Sequence, residues 1–133
     1  MATIQFWFDF ASTYSYPAAM QIRQLKDEYS FSVHPFLLWS IFQKQGLNDS
    51  PFNIYPIKGQ YMWRDLERIL QNMQLNCNDI IMTSTTDSAK RILKQNGMIA
   101  ESLNIFGAPS FVVKNELFWG QDRLQDALDW SQP

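Results

Sequence analysis

The sequence predicts an α/β domain in which a strand–helix–strand unit is joined through helices to a strand–strand–helix unit. Three observations carry this. An aromatic run, Ile4-Gln5-Phe6-Trp7-Phe8-Asp9-Phe10, precedes a segment of helical spacing and then a second apolar run from Phe31 to Leu38. The middle of the chain holds long stretches whose apolar residues recur at helical intervals. Near the end, Ser110–Val113 and Glu116–Trp119 are short apolar runs parted by Lys114-Asn115, the pattern of a tight hairpin.

Taken in order, the first run reads as a buried strand because it is short, aromatic and bounded by polar residues. Ser12, Thr13 and Ser15 offer N-caps, and Pro17 suits a first helical turn. The helix continues through Ala18, Ala19, Ile22 and Leu25 and fades near Tyr29. Phe31–Leu38 is the second strand, parallel to the first because a crossover helix joins them. Residues 46–56 read as a packed loop carrying Phe52, Ile54 and Tyr55. Lys58–Met73 is a helix with Tyr61, Met62, Leu66, Ile69, Leu70 and Met73 on one stripe. A short helix over Asn76–Thr83, capped by Asn78, follows. Asp87 caps the next helix, Ser88 to about Leu103, with Gly97 as a point of interruption. Gly107-Ala108-Pro109 is a turn before the hairpin. Gly120-Gln121-Asp122 opens a last helix with Leu124, Leu128 and Trp130 on its apolar side. This order is the thioredoxin layout, a single domain over 1–133 with 59–104 as its helical connection.

Composition agrees and excludes alternatives. At 133 residues the chain suits one domain. Hydrophobic residues make up 46% and aromatics 15%, which argues against disorder. Eleven basic and 13 acidic residues leave a net charge of −2, so neither nucleic acid nor an anionic membrane is expected as a partner. No stretch approaches the roughly 18 apolar residues of a membrane helix. Met1-Ala2-Thr3-Ile4 lacks the basic start of a signal peptide, and the expected location is the cytoplasm. The single cysteine, Cys77, excludes an intramolecular disulfide and a Cys-x-x-Cys pair. The single histidine, His34, leaves little for a metal centre, and none is expected.

In a thioredoxin layout the chemistry sits where the first strand meets the first helix, because free N–H groups and the helix dipole favour an anionic sulfur there. That position holds Ser12-Thr13-Tyr14-Ser15, the Cys-x-x-Cys spacing with hydroxyls in place of both sulfurs. Dithiol exchange is therefore ruled out at this site. A thiolate brought in from outside can still be bound, with a serine hydroxyl lowering its pKa. Ala108-Pro109 stands before a strand, where this layout places a cis-proline and presents the preceding main chain to an extended peptide. Glutathione combines a thiol and a peptide, so one ligand fits both features.

Four blocks of sequence resemble the 2-hydroxychromene-2-carboxylate isomerase family, DsbA-like relatives of the kappa-class glutathione transferases. They are Phe8-Asp9-Phe10-Ala11-Ser12-Thr13-Tyr14-Ser15-Tyr16; Pro35-Phe36-Leu37-Leu38; the segment from Asn48 to Asp65; and the segment from Phe106 to Val113 with that from Glu116 to Leu124. The resemblance implies a glutathione-dependent isomerase acting on a small aromatic-catabolism substrate, with no metal. It implies Ser12 as the group holding the thiolate, and Asn48 and Lys58 at the glycyl end or the substrate acid. Ala108, ahead of Pro109, would meet the cysteinyl main chain, and Gln121 and Asp122 the γ-glutamyl group. The chain departs from the family at Thr13, where proline is common, and at Gln121, where Ser or Asn is common. It also carries a much reduced helical insertion, which leaves apolar surface that a homodimer partner can cover.

Plainer roles stand beside these. Ser12 and Ser15 fit helix caps by spacing alone, Lys58 a solvated lysine, and Asp122 an early-helix acid. His34 reads as structural and Cys77 as incidental. Phe52, Tyr55 and Trp63 fit either packing or the approach for an aromatic substrate. A glutathione transferase-like protein for other electrophiles, or a non-catalytic glutathione-binding module, are the alternatives to the isomerase.

Overall fold

The computed structural model describes residues 1–9, 11–74 and 87–133. Strand β1 (Ile4–Phe8) leads into helix α1 (Ser15–Leu25) and strand β2 (Phe31–Pro35). Helices α2 (Leu38–Lys44), α3 (Pro51–Ile54), α4 (Pro56–Asn72) and α5 (Asp87–Ser102) follow. The hairpin β3 (Ser110–Val113) and β4 (Glu116–Trp119) leads through a 3-10 turn at Gln121–Arg123 into α6 (Leu124–Ser131). The four-stranded sheet has the order β2-β1-β3-β4. As expected, β1 and β2 are parallel, while β1–β3 and β3–β4 are antiparallel.

Alternation along the strands places helices on both faces. Ile4, Phe6, Phe111 and Val113 pack against Ala18 and Ile22 of α1 and Leu124, Ala127 and Leu128 of α6. Trp7 and Val112 face the other way, onto Phe36, Leu38, Ile41 and Ala100. The register sets Trp7 opposite His34, and their rings stack with centroids 4.5 Å apart. His34 also shares a hydrogen bond with Ser32 Oγ at 2.9 Å, so its role is structural, as read from sequence. Lys114 and Asn115 have φ of 49° and 67°, the left-handed pair that a two-residue hairpin needs.

Several local expectations are corrected. Strand β2 ends at Pro35, because the Leu38 N–H is drawn to the Asp9 carboxylate and α2 starts there. The stretch 46–56, read as a loop, contains α3, opened by Ser50 Oγ accepting the Phe52 N–H at 3.3 Å. Gly97 does not interrupt α5; it is buried, on the side of that helix facing Ser40 of α2. No serine caps α1, whose N-cap residue is Tyr14 with no side-chain bond. Trp130 is 52% exposed, lying edge-on to Phe118, while Ala127 and Ser131 join the buried side of α6. The helix read over Asn76–Thr83, its Asn78 cap and Cys77 lie outside the described residues.

Candidate functional site

Ser12 sits between β1 and α1, half-buried. Its side chain turns across the sheet end, where Oγ donates to the Ala108 carbonyl at 3.1 Å. The Ala108-Pro109 peptide bond is cis. One hydrogen bond thus joins residues 96 positions apart, the two that sequence reasoning placed on either side of a thiol. Pro109 is buried and its carbonyl accepts the Gly120 N–H at 3.0 Å, which ties this loop to the segment carrying Gln121 and Asp122.

The next two residues bind α4. Thr13 Oγ1 donates to Met62 Sδ at 2.8 Å, and the Tyr14 hydroxyl donates to Asp65 Oδ2 at 2.7 Å. Burial, reinforced by the hydrogen bond and charge of Asp65, raises the Tyr14 pKa well above the usual phenol range. Tyr14 therefore stays protonated at neutral pH with its proton committed to Asp65, leaving Ser12 as the side-chain donor facing Ala108. The Asp122 carboxylate also contributes to the Tyr14 shift, which places that acid within electrostatic reach of the same corner.

Phe52 packs against Tyr14 with ring centroids 6.3 Å apart, and Lys58 Nζ lies over the Phe52 ring at 5.7 Å. Gly59 makes this possible: a Cβ there would run into the Phe52 carbonyl, so only glycine lets α3 sit this close to α4. Tyr55 and Trp63 are 63% and 53% exposed, and among the described residues no hydrogen bond ties either to Ser12. Asn48 is exposed, and among the described residues no hydrogen bond ties it to Ser12, Ala108 or Asp122. Gln121 Nε2 donates to Gln21 Oε1 at 3.2 Å across the gap between α1 and the 3-10 turn. Gly120, at φ 113°, lets the Asp122 carboxylate fold back over its Cα. A groove of about 300 Å³ runs beside Gln21, Gln24, Gln121, Asp122 and Gln125; it lies at this end of the site and not over Ser12.

The structure therefore brings together Ser12 with Ala108, Gln121 with Asp122 beside one groove, and Phe52 with Lys58 near Tyr14. Among the described residues no hydrogen bond joins Asn48, Tyr55 or Trp63 to Ser12 or Ala108. Three contributors were not anticipated from sequence: Asp9, Met62 and Asp65. Asp9 carried a signal, as an acid inside an aromatic run. Met62 and Asp65 show none, because their partners are about 50 residues away.

The chain superposes on the structure of a 2-hydroxychromene-2-carboxylate isomerase with a TM-score of 0.74 and 15% identity, covering 96% of this chain and 93% of that chain. A thioredoxin-like oxidoreductase from Silicibacter pomeroyi DSS-3 aligns at 20% identity over 96% of this chain and 84% of that one, with a TM-score of 0.46. No curated protein matches. Residues 3–90 and 68–129 match the family described as the DSBA-like thioredoxin domain. With the thioredoxin order of strands and a cis-proline facing the start of α1, the chain belongs to the DSBA-like thioredoxin domain family.

Proposed function

We propose that the protein binds glutathione with its sulfur at Ser12 and acts as a glutathione-dependent isomerase of the 2-hydroxychromene-2-carboxylate type. The observation that carries this is the Ser12 Oγ–Ala108 carbonyl hydrogen bond at 3.1 Å. It occupies a donor and an acceptor that a cysteinyl residue can use separately. On binding, the Ser12 hydroxyl turns to the thiolate, and the Ala108 carbonyl accepts the cysteinyl N–H. One internal bond is exchanged for two to the ligand, one of them charge-assisted.

The remaining groups suit the ends of glutathione. Asp122 meets the γ-glutamyl ammonium, Gln121 its carboxylate, and the adjoining groove gives that end room. Lys58 and Asn48 serve the glycyl carboxylate or the substrate acid. Phe52, Tyr55 and Trp63 offer apolar surface to an aromatic substrate. In the reaction the thiolate adds to the conjugated carbon skeleton of the ring-opened substrate, and the electron pair moves to the carbonyl oxygen. Rotation occurs about the bond made single. The electrons then return, and the C–S bond breaks to release the thiolate unchanged. Ser12 remains protonated throughout and donates to sulfur.

Turnover of 2-hydroxychromene-2-carboxylate with and without glutathione tests this. Isomerisation only with glutathione is expected; glutathione binding without isomerisation removes the isomerase assignment. The exposure of Tyr55 and Trp63 favours a second reading, in which the open side admits other electrophiles and the protein is transferase-like. Conjugation of glutathione to a model electrophile, in the absence of isomerisation, would select it.

A further inference from the structure

Asp9 stands at the end of β1 and is only 7% exposed. A carboxylate this deep is costly unless its oxygens are met. Backbone meets them: Oδ1 accepts the Ala11 N–H at 2.8 Å, and Oδ2 accepts the Leu38 N–H at 2.9 Å, at the start of α2. The main chain of Asp9 engages the same turn. Its carbonyl accepts the Ser12 N–H at 3.0 Å, and its N–H donates to Ser15 Oγ at 3.4 Å. Among the described residues no lysine or arginine pairs with it.

Closing the turn after β1 requires only the Ala11 contact, an arrangement that Asn or Ser also makes. The second oxygen distinguishes an acid. A carboxylate accepts in both directions, whereas an asparagine amide has one acceptor and would aim its NH₂ at the other backbone N–H. We infer that Asp9 is a positioning residue, whose two oxygens fix the Ser12 turn against the start of α2 so that the Ser12 hydroxyl faces Ala108. This rests on Ser12 as the group that holds the glutathione sulfur. It makes the start of α2, which among the described residues gives no hydrogen bond to Ser12 or Ala108, a determinant of how well that sulfur is held.

The experiment reads the thiol pKa of bound glutathione from thiolate absorbance against pH. It compares the wild type with Asp9→Asn and Leu38→Pro, each checked for folding by circular dichroism. Leu38→Pro deletes the N–H facing Oδ2 and leaves Asp9 and Ala11 intact. Proline suits a first helical position, and Leu37 is already extended at φ −99° and ψ 107°. In the wild type the bound thiol titrates below free glutathione. Asp9→Asn raises it by about one unit, roughly tenfold less thiolate at fixed pH, and Leu38→Pro raises it by less. A wild-type value in folded Asp9→Asn overturns the positioning role and leaves Ser12 standing. A lowered value overturns it too, since the carboxylate would then act on sulfur through its charge. If Asp9→Asn does not fold, an unmoved pKa in Leu38→Pro is the overturning result. No lowering in the wild type removes the Ser12 thiol site itself, and the positioning role with it.

Discussion

At the scale of the residue, the decisive group is a hydroxyl that caps nothing. Ser12 stands where a helix cap was a fair expectation, yet its Oγ reaches the Ala108 carbonyl instead. Ser12→Ala leaves that half-buried carbonyl without its partner and is expected to cost about 1 kcal/mol, readable as a lower urea midpoint. His34 gives a pH signature. Burial lowers its pKa from 6.5, so the folded state takes up a proton less readily than the unfolded chain. Its contribution is complete above the unfolded pKa near 6.5 and is lost as pH falls below it. Wild-type urea midpoints are therefore expected to drop between pH 7.5 and 5.5, and to drop less in His34→Gln; equal drops contradict this. That Ser12 and Ala108 share one site was legible, because each has a position signature: hydroxyls at a strand–helix junction, and a proline before a strand; their hydrogen bond to each other was not. Asp9 and Asp65 were not legible as site residues. Their contacts, to Leu38 and Tyr14, join segments that only the folded chain brings together.

At the scale of the element, α4 is held to the start of α1 by Tyr14–Asp65 and Thr13–Met62, and to α3 by the bare Cα of Gly59. Gly59→Ala is expected to force α3 away and to destabilise by about 1–3 kcal/mol, as overpacking does; an unchanged melting temperature contradicts this. Tyr14→Phe removes one hydrogen bond to a carboxylate. It is expected to cost about 1–2 kcal/mol and to speed amide exchange in α4 more than in α6. The longer helices were readable from their stripes, and β3–β4 from its turn residues. Helix α2 was not. It is seven residues long, continues an apolar run from β2, and takes its N-terminal hydrogen bond from Asp9 rather than from a local cap. Helix α3 had its local signal in Ser50-Pro51, but four residues are too few for periodicity to register.

At the scale of the whole molecule, the alternation of β1 and β3 builds two cores, one on each face of the sheet, and leaves the sheet end free for Ser12 and Ala108. Element order was enough to read this fold, because strand–helix–strand followed by a hairpin and helix admits few topologies. On the proposed function, Ser12 takes a ligand that carries its own sulfur, since no cysteine stands in the hydroxyl pair. Glutathione is accordingly expected to raise the melting temperature, and to go on raising it with the logarithm of its concentration after the site is saturated. The most direct measurement is the thiol pKa of glutathione bound to the wild type and to Ser12→Ala. The expected result is a wild-type pKa below that of free glutathione, moved back towards the free value by about one unit in Ser12→Ala. Identical values in the two proteins, or no binding at millimolar glutathione, would contradict a sulfur site at Ser12.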